Sequence, residues 1–191
     1  MKKGLALLIA LFLLSAACAE SALPAYVCPL EDPVEAAVAD WIVASYAEYL
    51  AQEEGSVTIP APMLFRREPV DDARLRVYGT LWVMSYVLKD KTLECISAME
   101  VPAVLILEER DGAWTVTEAD TAGEGDDYLL DIARFAAGDA ELEDAYAAGA
   151  DLSEEPLLGI RTRYIRDYVR ANGLDVTAYQ DPYWEPVPLG E

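Results

Sequence analysis

Tyr78, Trp82 and Tyr86 recur at every fourth position of one apolar segment. If that segment is a strand, they share a face with Met84 and Leu88. Aromatic rings of this kind suit a ligand cavity, and a carboxylate among them would act as a general base beside tyrosine donors. Positions 74–88 hold no Asp or Glu, so the base would have to come from Glu94, Glu118 or Asp120 further along. The blander reading of the same face is packing beneath later helices.

Other chemistries fall by exclusion. The chain contains 0 histidines, which removes Ser-His-Asp and Cys-His catalysis, histidine metal sites and histidine proton shuttles. Beyond Lys2 and Lys3 the lysines are Lys89 and Lys91, both at an expected hairpin turn, where no desolvated amine can arise. Gly123-Glu124-Gly125 is acidic and lacks a phosphate-cradling pattern. Asp120, Glu124, Asp126 and Asp127 crowd one loop and would offer oxygens to calcium, but their spacing is not that of an EF-hand. A solvated acidic loop is the preferred reading, and no metal or cofactor is expected.

Lys+Arg total 14 against 35 Asp+Glu, a net charge of −21. Such a surface repels nucleic acid and anionic headgroups, which leaves a protein or a small molecule as partner. Lys2 and Lys3, the apolar run Leu5–Leu14 and the small residues after it form a secretory signal over residues 1–19. The run is far shorter than the about 20 residues of a spanning helix, so an exported, extracellular or envelope-associated protein is expected. Ala17-Cys18-Ala19 allows cleavage before Glu20, while Leu14-Ser15-Ala16-Ala17-Cys18 allows lipidation of Cys18 as an anchor. After cleavage at Ala19 the balance is 12 basic to 35 acidic residues. Cys28 and Cys95 remain as an even pair. A bridge between them would restrict the unfolded chain by about 4 kcal/mol, and the alternative for Cys95 is a buried core thiol.

Residues 20–180 read as a single domain, with a Pro-rich tail over 181–191 lying extended on the surface. Asp32-Pro33-Val34-Glu35 starts a helix that carries apolar residues at helical spacing to Gln52. Pro60, Pro62 and Pro69 confine 56–72 to edge strand and loop. Strands are expected at Arg74–Leu88, bent at Gly79, then Thr92–Met99, Ala103–Glu109 and Ala113–Ala119, the last two joined by an Asp111-Gly112 turn. Short connections make them an antiparallel meander. Helices follow: one capped by Asp127, one over Ala140–Ala148, and a long one from Ser153 to Asn172. On the last helix Arg163, Arg166 and Arg170 form a stripe expected to pair with the acids between Asp139 and Glu155.

One helix followed by a bent antiparallel meander resembles the cystatin-like and nuclear-transport-factor-2-like α+β folds over residues 32–135. That resemblance rests on element order. It implies a sheet curled around the helix, with a cone between them that holds a ligand in some members. The chain is also similar in character to exported proteins of Gram-positive bacteria. The expectation is thus an N-terminal helix on a curved four-stranded meander with added C-terminal helices, serving as a non-catalytic binding domain. The alternative is a small-molecule enzyme or carrier that uses the cone, with Tyr78, Trp82 and Tyr86 lining it.

Overall fold

The computed structural model describes residues 22–150 and 155–190. The segment 1–19 expected to be a secretory signal, Cys18 and Ser153 lie outside these residues. The fold is α+β, a six-stranded sheet with four α-helices among the described residues. Helix α1 spans Pro33–Tyr46, and Asp32 caps it by accepting from the backbone N–H of Val34 and Glu35 at 2.9 and 3.2 Å. It stops earlier than its apolar pattern suggests. A 3-10 turn, Ala47–Tyr49, follows, and the Gln52 side chain donates to the Ala47 carbonyl at 2.9 Å, satisfying an end the helix leaves bare.

Strand β1 runs Val57–Asp71, β2 Arg74–Lys89, β3 Thr92–Arg110 and β4 Ala113–Thr121. They form an antiparallel meander, with β1 at the edge, where its three prolines cost no ladder bond. The two strands expected at 92–99 and 103–109 are one continuous strand, β3. Pro102 does not break it because the Pro102 carbonyl faces away from β2, accepting from Ala122 N–H at 2.8 Å, just where β4 ends. A missing N–H on that side interrupts no pairing. Gly79 pairs with Leu64 beside a bulge at Phe65, so the irregularity expected in β2 at Gly79 is found in its partner β1, and β2 runs through Gly79 without a skipped residue. Asp111 and Gly112 take φ of 54° and 80°, the positive values a tight hairpin requires.

The two sheet faces are covered separately. Val34, Val38 and Ile42 of α1 pack on Val77, Leu81 and Val83 of β2 and on Val101, Ala103 and Leu105 of β3. Helix α1 also meets β1 and β4. On the opposite face, helix α4 (Leu157–Ala171) covers Trp82, Met84 and Tyr86. Helices α2 (Asp126–Ala136) and α3 (Ala140–Ala148) cover Tyr78. Asp139 caps α3, whereas α2 begins without a side-chain cap, so the expected role of Asp127 is not filled.

The chain then returns to the sheet. Strand β5 (Ala178–Gln180) pairs in parallel with Thr92–Glu94, and β6 (Val187–Pro188) pairs with β5. The tail lies largely on the surface, and it is tied to the fold at two points, with Leu189 buried and Asp181 bound to Arg161. No helix among the described residues is long and apolar enough to cross a membrane.

Candidate functional site

Strand β3 has two different neighbours on its far side, and they do not meet. Pairing with β5 ends at Glu94↔Gln180, and pairing with β4 begins at Ala103↔Thr121. The stretch between is about 30 Å of strand edge at about 3.3 Å per residue. Because the Pro102 carbonyl faces away from β2, the alternation of the ladder turns the backbone groups of Ala98 and Glu100 the same way. No described residue hydrogen-bonds to them on that side. Exposed polar edges of this kind are templates for a further strand.

A cavity flanks each end of the gap. The one beside β4, of about 430 Å³, is lined by Tyr46, Met99, Glu100, Val101, Glu124 and Tyr128 among others. That volume lies within the range of small-ligand sites. Glu100 comes from β3, Tyr128 from the first turn of α2, and Tyr46 from the end of α1, so three elements converge on it. Tyr128 donates its hydroxyl to Glu100 Oε1 at 2.7 Å, and Glu100 Oε2 has no hydrogen bond among the described residues. Burial raises the Glu100 carboxyl above its ordinary range, partly offset by the Tyr128 bond. Burial and the facing carboxylate together raise the Tyr128 hydroxyl. The second cavity, about 250 Å³, is lined by Cys95, Ile96, Ser97, Asp181, Pro182 and the exposed Trp184.

Glu100 therefore has a testable signature. Its folded carboxyl holds a proton more tightly than an unfolded Glu, so its contribution to stability is fully present below the ordinary Glu range. That contribution is lost as pH rises through its own titration. Glu100→Gln keeps an acceptor for Tyr128 and removes the titration. The stability of wild type relative to Glu100→Gln should fall as pH rises from about 4 to 7 in urea-unfolding series. A difference that stays flat, or rises, would show that burial does not raise the Glu100 carboxyl.

The residues picked out from sequence lie elsewhere. Tyr78, Trp82 and Tyr86 are buried on the face away from α1, so they do not line a cone beneath it. Their polar atoms are engaged: Tyr78 donates to Glu68 at 3.2 Å and Trp82 Nε1 to the Gly149 carbonyl at 2.8 Å. Tyr86 donates to Met84 Sδ at 3.4 Å and accepts from Arg161 Nε at 2.9 Å. Of the expected bases, Glu94 pairs with Lys89, Asp120 with Arg134, and Glu118 is exposed on β4. Asp120, Glu124, Asp126 and Asp127 do not converge: Asp126 and Asp127 open α2, and Glu124 stands at the cavity rim.

The arginine stripe also finds different partners. Arg163 and the Tyr164 hydroxyl both bind Glu35 Oε1, joining α4 to the start of α1. Arg166 donates to the Leu189 carbonyl at 2.7 Å. Arg161, which the stripe omitted, is the most buried cation among the described residues. Its guanidinium makes a bidentate pair with Asp181, bonds Tyr86 and stacks 4.5 Å from the Tyr179 ring centroid. Every face of it is used, so it holds the fold and offers nothing to a ligand. Cys28 and Cys95 are free thiols, so the possible bridge is not formed. Cys95 sits inside the ladder opposite Tyr86 with its thiol on the Ser97 carbonyl, and burial pushes it up to about 11.

Fold and site together define an α+β domain with an interrupted sheet edge and a carboxylate–tyrosine cavity at one end of the interruption. Comparison with protein families, curated proteins and solved structures gives no match for the chain.

Proposed function

We propose that this chain is an exported, non-catalytic interaction domain whose open β3 edge receives an extended, positively charged segment of a partner protein. The observation that carries this reading is the gap between β4 and β5, where the Ala98 and Glu100 backbones lack partners among the described residues. Adding a strand to such an edge gives affinity through the main chain and selectivity through flanking pockets, here one at each end. Charge sets the partner. Glu100 and Glu124 stand at the β4 end of the gap without a cationic partner among the described residues, on a protein of net charge −21, which attracts a basic segment and repels an acidic one. Export rests on the N-terminal pattern of residues 1–19.

The probe is an acetylated, amidated hexapeptide of alternating Lys and Val, followed by backbone amide NMR. Saturable shifts are expected at Ala98 and Glu100, with a dissociation constant of about 0.1 mM. Ala98→Pro removes an N–H that faces the gap and leaves the β2 ladder intact, so it should weaken binding by about tenfold or more. Absence of saturable shifts, or full binding by Ala98→Pro, would refute the reading.

A small-molecule enzyme or carrier is the second reading, favoured by the half-buried Glu100 beside the Tyr128 hydroxyl. It requires turnover that Glu100→Gln abolishes, whereas the interaction reading requires none.

A further inference from the structure

The cavity at the β4 end of the gap has a lining chemistry that selects its ligand independently of any docked strand. Two carboxylates, Glu100 and Glu124, two tyrosines, Tyr46 and Tyr128, and Met99 contribute to it, and no Lys or Arg does. Glu100 is the central group. It is half-buried, it is held in place through Oε1 by the Tyr128 hydroxyl, and its Oε2 has no partner among the described residues. A half-buried carboxylate is less well solvated than an exposed one and favours a counter-charge, and Arg134 does not provide one, because it is taken by Asp120 and Asp131. The two tyrosines put aromatic surface into the lining, which suits a cation, and Met99, Val101 and Pro102 offer apolar surface to the carbon chain that carries it.

We infer that this cavity binds an organic ammonium group, with Glu100 Oε2 as its counter-ion and Tyr46 and Tyr128 as its aromatic walls. An inorganic cation fits less well. The described residues place no group of three or more acidic, Cys or His side chains where they could share a metal, and Glu100 and Glu124 are the only carboxylates in the described lining. An anion is excluded by the sign of the lining, and a neutral ligand would leave the Glu100 charge uncompensated. The cavity, with a volume of about 430 Å³, has room for an alkyl chain behind the ammonium. The net charge of −21 raises the local concentration of any cation near its mouth.

The test uses n-butylammonium chloride as probe and n-butanol as its neutral counterpart, with the Tyr46 and Tyr128 ring signals read by NMR. Saturable shifts are expected with the ammonium at about 1–10 mM, and none that saturate with the alcohol. Glu100→Gln should weaken ammonium binding by about tenfold. Asp126→Asn, which removes one exposed charge outside the lining, should leave it within about twofold and so separates a specific pair from diffuse attraction. Nα-acetyl-lysine N-methylamide identifies the source of the ammonium. Binding tighter than butylammonium, with shifts extending to Ala98, marks a lysine side chain carried on a peptide, and equal binding marks a free amine. Equal response to the alcohol, an unchanged Glu100→Gln, or no saturable shift would overturn the site. Because butylammonium has no backbone groups, its result stands apart from that of the hexapeptide: either reading can fail alone.

Discussion

Replacing Asp181 by alanine is expected to destabilise the fold by about 3–5 kcal/mol, a large part of the about 5–15 kcal/mol that a domain commands. The Arg161 side chain is 1% exposed and that of Asp181 21%, so the mutation leaves a charge in the core while removing a group near its rim. Tyr86 and the Tyr179 ring remain, but one hydroxyl and a π-face do not replace a bidentate carboxylate. The loss would also free the segment that carries β6 and Leu189 back to the sheet. Urea unfolding of wild type and Asp181→Ala measures it. Pairing Arg161→Met with Asp181→Leu should recover most of the loss, because apolar residues of similar size suit the site. A cost below about 1 kcal/mol, the value of an exposed pair, would mean that water reaches the guanidinium through the tail.

The parts of this fold legible in sequence are those that local chemistry decides. Asp32-Pro33 fixes the start of α1, alternation fixes the faces of β2, and Asp111-Gly112 fixes the β3–β4 hairpin. The break expected between 92–99 and 103–109 is absent even though Pro102 lies there, because proline is tolerated in a strand where no neighbour needs its N–H. That in turn depends on where β4 ends, a tertiary fact. Arg161 was readable in principle. It lies at helical spacing from Leu157, Ile165 and Tyr168, all buried, and so belongs to the apolar stripe of α4, not to the polar one with Arg163, Arg166 and Arg170. Its partner was not readable, since Asp181 sits in a Pro-rich segment with the composition of a loose tail. Glu100 and Tyr128 carry no mutual signal at all: their meeting requires α2 to fold back across β3. The open β3 edge likewise depends on β4 stopping short and β5 arriving from the far end of the chain, which no local pattern announces.

Gly79→Ala should cost about 1–3 kcal/mol, against the usual direction for such a change, since alanine normally lowers the entropy of the unfolded chain by about 0.4–1 kcal/mol where the native backbone accepts it. A Cβ at this position would lie 2.6 Å from the Met63 carbonyl oxygen, a backbone atom that cannot swing aside, and 3.3 Å from Leu64 Cα. Strand β1 would have to retreat at the point where the bulge at Phe65 sets the register for the rest of the pair. Phe65 packs edge-on against Tyr146 with ring centroids 5.0 Å apart, and Tyr146 donates its hydroxyl to the Ala103 carbonyl at 2.8 Å. A shift of β1 is therefore felt at the seat of α3 on the sheet. Two observables should move together in Gly79→Ala: the urea midpoint falls, and the near-ultraviolet dichroism of the tyrosines loses intensity. A stabilised variant with an unchanged aromatic spectrum would mean that β1 and β2 do not approach so closely.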